Sequence, residues 1–185
     1  GQIEKKLLPG TYLVKELPVD RYVTPSAQYV TIESEQTSSV HFSNILKKFR
    51  VHVVKSDADT GNAQGDATLA GAAYGIFRDG ELIDTYTTGP DGSFMTRYYV
   101  CGDGWTIREI EPSTGYLLNE TIYEVGASPS LYEVELNTTE NQVTETVIYG
   151  NIQLVKHTDD LDPDVPEGEN TDDPNAGIIE RPEAG

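Results

Sequence analysis

The chain has 185 residues with 13 Lys and Arg against 31 Asp and Glu, a formal net charge of −18. That balance excludes a phosphate-binding surface for nucleic acid, which needs clustered basic residues, and argues against docking on an anionic membrane. One cysteine and three histidines exclude an internal disulfide and leave no zinc-ligand spacing.

Along the chain the pattern is one of short alternating runs rich in Tyr, Val, Ile and Thr, separated by Gly, Pro, Asn and Asp, which predicts strands and almost no helix. The first predicted strand is TYLVKEL (11–17), followed by QYVTIES (28–34) and SVHFSNI (39–45). FRVHVVK (49–55) comes next, then AAYGIFRD (72–79) and ELIDTYTT (81–88). Between these last two, Asp79-Gly80 is the signal of a tight hairpin turn. GPDGS (89–93) is a second turn, with Pro fixing φ. SFMTRYYV (93–100) and WTIREIE (105–111) follow. YEVEL (132–136) and TETVIYG (144–150) read as further strands, with LNTTENQ between them as a hairpin turn. NIQLVK (151–156) is the last predicted strand, and the acidic, Pro-rich stretch 159–185 is predicted to be disordered. No run is apolar and long enough for a membrane-spanning helix. No signal peptide is present, and the start on Gly inside a strand-like run suggests a fragment.

Two phrases occur twice. FRVHVVKSDADTG (49–61) and GNIQLVKHTDD (150–160) align on Lys55 and Lys156, which are 101 positions apart. GTYLVKELPVDRY (10–22) and GWTIREIEPSTGY (104–116) align on Glu16 and Glu109, which are 93 positions apart. A unit that opens on the Lys strand and closes after the Glu strand is whole only over residues 48–151. Residues 1–47 read as the back of a preceding unit, and residues 152–185 as the front of a following one.

VHVVKSDADTG, LAGAAYGIF, TTGPDGSF and GWTIREIEPSTGY, in that order, resemble the Cna B-type domains of Gram-positive surface adhesins and the related SpaA-type pilin domains. The resemblance implies an all-β, prealbumin-like sandwich in tandem, one copy complete and two partial. It implies an extracellular stalk attached to the cell wall, whose partners are the adjacent domains of the same chain. An adhesin module for a host matrix protein or glycan is the alternative. It further implies an intramolecular isopeptide bond between a Lys and an Asn, assisted by a buried carboxyl group.

Alternation assigns the residues to faces. Val51, Val53 and Lys55 share one face, and Trp105, Ile107 and Glu109 share another, so a Lys and a Glu are aimed at one core. Desolvation favours the neutral forms of amines and carboxyls, and a neutral amine is a nucleophile. Glu109 and Glu16 are therefore the expected assisting carboxyls, with Lys55 and Lys156 as donors. Asn44, in phase with Val40 and Phe42, is the expected acceptor in the preceding unit. In the complete unit that position is Glu145, in phase with Val143 and Val147. Asn151 is out of phase with the Lys strand. A carboxylate is a poor acyl acceptor, so the competing arrangement is Lys55 held between Glu109 and Glu145 as a buried charge cluster.

Other signals point elsewhere only weakly. SDADTG (56–61) and HTDDLDPD (157–164) resemble pieces of a calcium loop but lack the ordered ligands. Cys101 reads as a small core residue. Tyr86 and Tyr98 are candidate sugar contacts or sheet-surface packing. NTT (137–139) and NET (119–121) match a glycosylation acceptor, an accidental match in a bacterial protein. With no His-based triad, metal cluster or phosphate loop, neither cofactor nor turnover of an external substrate is expected.

Overall fold

The computed structural model describes residues 3–155, in two units that divide after Ile148. Among the described residues, twelve strands form in chain order. They are β1 (Gly10–Val14), β2 (Tyr22–Val23), β3 (Gln28–Ile32), β4 (Ile45–Leu46), β5 (Lys48–Asp57), β6 (Ala73–Arg78) and β7 (Glu81–Thr87). β8 (Ser93–Met95), β9 (Tyr99–Val100), β10 (Trp105–Glu111), β11 (Tyr123–Glu124) and β12 (Leu136–Glu145) complete the set.

Period-two alternation is clearest in β5, where every second residue from Phe49 to Asp57 is buried. One sheet has the order β11-β10-β6-β7, and the facing sheet has β12-β5-β8, with β9 also paired to β5. Phe49, Val51, Val53, Phe94 and Val143 from one sheet meet Tyr74, Ile76, Trp105 and Ile107 from the other in a single core. The result is the expected all-β sandwich. The hairpin β6–β7 turns at Asp79 (φ 51°) and Gly80 (φ 84°), both in the left-handed region that such a turn requires.

β5 and β12 run parallel and side by side over ten paired positions, from Leu136 opposite Lys48 to Glu145 opposite Asp57. This corrects the hairpin expected at LNTTENQ, because that segment lies inside β12. Thr138 and Glu140 belong to its outward face: Arg50 donates to Thr138 Oγ1 at 3.0 Å, and His52 pairs with Glu140 at 2.6 Å.

SFMTRYYV is two strands rather than one. The Val51 N–H donates to Thr96 Oγ1 at 2.9 Å, and Thr96 Oγ1 donates on to the Arg97 carbonyl at 2.8 Å. The hydroxyl thus takes over a ladder position where the strand bends.

In residues 3–46, β1 pairs antiparallel with β3 and β2 with β4. Tyr12, Val14 and Glu16 are half-buried while Thr11, Leu13 and Lys15 are exposed, but no residue of this segment is fully buried. SVHFSNI contributes only its last residue, Ile45, to a strand. A single residue, Lys47, separates β4 from β5; its N–H donates to the Arg21 carbonyl and its carbonyl accepts from the Cys101 N–H, both at 3.0 Å.

Of the second unit, residues 149–155 are described, and 151–154 form no strand. Lys156, the loop 157–164 and the stretch 159–185 lie outside the described residues.

Candidate functional site

Lys55 projects from the inward face of β5, where its neighbours in phase are Val51 and Val53. It is only 1% exposed. Its Nζ donates to Ser113 Oγ at 2.8 Å and to Glu109 Oε1 at 3.3 Å. It also sits 4.7 Å from the centre of the Tyr116 ring. Glu109, 4% exposed, comes from β10 in the opposite sheet, so the ion pair ties the two layers together. The second oxygen of Glu109 accepts the Asn119 N–H at 2.8 Å.

The backbone that holds Lys55 is as constrained as its side chain. The Lys55 N–H donates to the Gly92 carbonyl at 2.9 Å. Gly92 has φ +76°, and a Cβ there would lie 2.7 Å from the Lys55 carbonyl oxygen. Gly92→Ala is expected to destabilise the sandwich by at least about 1–2 kcal/mol, the cost of the left-handed backbone before any clash. A urea midpoint unchanged from the parent would contradict this placement.

The Pro-Ser-Thr-Gly break after β10 folds back over the amine. Gly115 makes the turn with φ +83°, where a Cβ would meet Ala67 at 2.6 Å. Ser113 and Tyr116 on either side of the turn are both buried. The phrase GWTIREIEPSTGY therefore supplies three of the groups around Lys55: a carboxylate, a hydroxyl and an aromatic face.

Glu145 approaches from β12. It is 1% exposed and inward, like Val143 and Val147. Oε1 accepts the Tyr74 hydroxyl at 2.8 Å, and the Asn119 side chain also lies near the carboxyl. Burial pushes its carboxyl above the ordinary value, and the Glu109 charge adds to the effect. The Tyr74 bond, the Lys55 charge and the Asn119 side chain act in the opposite direction without cancelling it. The Tyr74 hydroxyl, in turn, is held protonated by burial and then by the Glu145 charge.

The structure brings Lys55, Glu109 and Glu145 into one buried cluster. Asn44, expected inward, is exposed, because the segment around it forms no strand and alternation has no hold on it. Glu16 is half-buried on its strand face, and Asn151 is exposed. Asn137 is inward at the start of β12, with Nδ2 donating to the Lys48 and Val134 carbonyls, each at 2.9 Å.

Four groups around the cluster escaped sequence reasoning: Tyr74, Ser113, Tyr116 and Asn119. Tyr74 was accessible to it, since it alternates in phase with Ile76. Ser113 and Tyr116 sit within the repeated phrase itself.

The other candidates have structural roles. Asp57 Oδ1 accepts the N–H groups of Asp59 and Thr60, the Thr60 hydroxyl and Gln64 Nε2. Burial opposes its charge, but the Thr60 and Asp59 N–H groups and the side chains outweigh burial and hold it below the ordinary carboxyl range. The SDADTG loop is thus folded on its own carboxylate. Among the described residues, no group of three metal-ligating side chains converges. Burial pushes the Cys101 thiol up, away from a reactive thiolate. Tyr86 is half-buried and stacks on Phe94 with centroids 5.5 Å apart, and Tyr98 lies under the Arg50 guanidinium. Both Tyr residues therefore pack against neighbours.

Residues 50–146, which span all but the first two residues of β5 and run through β12, match the SpaA family, described as a prealbumin-like fold domain. Among solved structures, the chain is similar to the Bacillus anthracis TIE protein. The two are 21% identical with a TM-score of 0.60, over 77% of this chain and 26% of that one. It also aligns with the T6 backbone pilin of serotype M6 Streptococcus pyogenes at 27% identity and a TM-score of 0.38, over 44% of this chain and 16% of that one. The major pilin SpaD of Corynebacterium diphtheriae aligns at 15% identity and a TM-score of 0.44, over 68% and 34% of the two chains. This chain spans about a quarter of the TIE protein chain it matches. No curated protein matches it.

Proposed function

The chain belongs to the SpaA family of prealbumin-like fold domains, and from that premise we propose that it is a stalk segment of a cell-wall-anchored Gram-positive surface protein or pilin. Its role is extracellular and structural, and its partners are the domains before and after it.

The observation that carries this reading is the parallel pair β5–β12, the first and last strands of the sandwich. Because they are parallel neighbours, the start of β5 and the end of β12 lie at opposite ends of one ladder. Tension on the chain therefore shears ten residue pairs together instead of opening them one by one. The Lys55–Glu109 tie crosses to the second sheet near the end of that ladder.

Single-molecule pulling tests the reading directly. One set of handles is placed at the chain termini. A second is placed on cysteines introduced by Lys48→Cys and Glu135→Cys in a Cys101→Ala background, where the ladder must unzip from one end. The unfolding force is expected to be several-fold higher through the termini. Equal forces in the two geometries would sink the stalk reading.

A further inference from the structure

The edge strand of a sheet presents unpaired N–H and C=O groups, and folded proteins normally protect it with bulges, prolines, lysines or short length. Three edge strands of the sandwich are protected in this way. β11 has two residues and β8 three. β7 carries an extra residue, Ile83, where its register with β6 shifts. β12 differs: it has ten residues, an unbroken register, and no Pro, Lys or Arg. We propose that the free edge of β12, over residues 136–142, pairs antiparallel with the same edge of a second copy, so that the chain binds itself.

Backbone geometry says which groups are free. The carbonyls of Glu135 and Glu145 accept the N–H groups of Lys48 and Ala58, so the odd-numbered residues turn their backbone groups toward β5. Even-numbered residues turn theirs the other way. Past residue 142 those groups are taken. The Thr144 carbonyl accepts Asn119 Nδ2 at 3.2 Å, and the Thr146 carbonyl accepts the Leu117 N–H at 3.0 Å. Leu136, Thr138, Glu140 and Gln142 lack such cover, because among the described residues β12 pairs with β5 alone.

The edge is complementary to itself. Two identical edges join into one sheet antiparallel, about a two-fold axis. Centred on Thr139, the pairing sets Leu136 opposite Gln142 and Thr138 opposite Glu140. Each such pair exchanges two hydrogen bonds, about eight in all. Glu140 is the only charged residue in 136–142, and this centring holds it apart from its own copy. Centring on Glu140 would instead set like charges face to face, which destabilises a sheet.

A second observation points to the same place. The inward residues along this edge, Asn137, Thr139 and Asn141, are polar, and the last two are only half-buried. Asn141 Oδ1 is buried with no hydrogen-bond partner, a rare condition that calls for an explanation. The pairing brings the Thr139 hydroxyl of the second copy diagonal to Asn141, as a donor for that oxygen.

Two-fold pairing makes the two chains run in opposite directions. It therefore joins stalks that reach toward each other from facing surfaces. That consequence rests on the stalk reading, whereas the pairing does not. A ladder of this length is a small interface, with an expected dissociation constant on the order of 0.1 mM. Many stalks engaged at once multiply its effect.

Sedimentation velocity on the full chain, between about 0.01 and 1 mM, tests the pairing. The expected result is a shift with concentration from the 20.3 kDa monomer to twice that mass. Thr138→Glu sets two like-charge pairs across the axis while offering Arg50 a carboxylate in place of the hydroxyl. It is expected to weaken the dimer roughly tenfold. Gln142→Pro removes an outward N–H, a change that an edge strand tolerates, and is expected to leave a folded monomer. In a Cys101→Ala background, Thr139→Cys faces its own copy across a non-hydrogen-bonded pair, close enough for a disulfide. Mild oxidation is expected to cross-link that variant as a dimer, and not a Gln142→Cys variant. A parent chain still monomeric at about 1 mM would overturn the self-pairing and leave the edge to a strand of another protein. A dimer that survives both Thr138→Glu and Gln142→Pro would overturn β12 as the interface. Either result leaves the stalk reading to the pulling comparison, which is made on single molecules.

Discussion

Lys55→Met is expected to destabilise the sandwich by about 3–5 kcal/mol, because Glu109 is left as a buried charge without its counter-ion. Urea denaturation measures the loss. The effect has a definite pH sign. Lys55 is one of the groups that hold the Glu145 carboxyl down, so its loss pushes an already raised group further up. A raised carboxyl contributes stability that is fully present below its unfolded value, near 4.5, and lost as pH rises through its folded value. The Lys55→Met chain is therefore expected to be more stable at mildly acid pH than at neutral pH. Stability that climbed with pH would place Glu145 outside the low-dielectric cluster.

Trp105→Ala is expected to cost about 3–5 kcal/mol at the other pole of the core. The indole packs edge-on against Phe49 at 5.3 Å and against Tyr99 at 4.8 Å, with the Arg78 guanidinium over its face. It ties β10 to β5 as the ion pair does, but by apolar area rather than charge. Its Nε1 is buried without a partner, so truncation loses no hydrogen bond. Phe49 and Lys55 are six residues apart on one extended strand, roughly 20 Å. Sites that far apart add nearly independently. A double-mutant cycle of Lys55→Met with the milder Trp105→Phe is expected to show a coupling below about 0.5 kcal/mol. Strong coupling would mean that the two poles form one cooperative contact.

Much of this was legible because a strand's side chains alternate. Lys55, Glu109 and Glu145 could be placed inward from their Val and Ile neighbours alone, and each is buried. The same rule failed at Asn44, where it was applied to a segment that forms no ladder. It was overridden at LNTTENQ, where polar residues suggested a turn. There the strand is an edge with one wet face, and Thr138 and Glu140 pair with Arg50 and His52 across it. What no periodicity encodes is the contact between sheets. Tyr74 meets Glu145 because β6 faces β12 across the core, and Ser113 meets Lys55 because a turn at Gly115 reverses the chain. Such meetings depend on how layers stack, and the order of residues along one strand does not contain that information.

Lys47 stands alone between β4 and β5, with both of its backbone groups engaged. A joint of one fully bonded residue has no slack. It stores no coil that tension could draw out, so it cannot act as an entropic spring in the way a Gly- or Ser-rich linker does. Pulled at this point, the chain stays stiff until a ladder fails. In the proposed stalk, reach would be set by how many such joints and domains are strung together rather than by the tension on them.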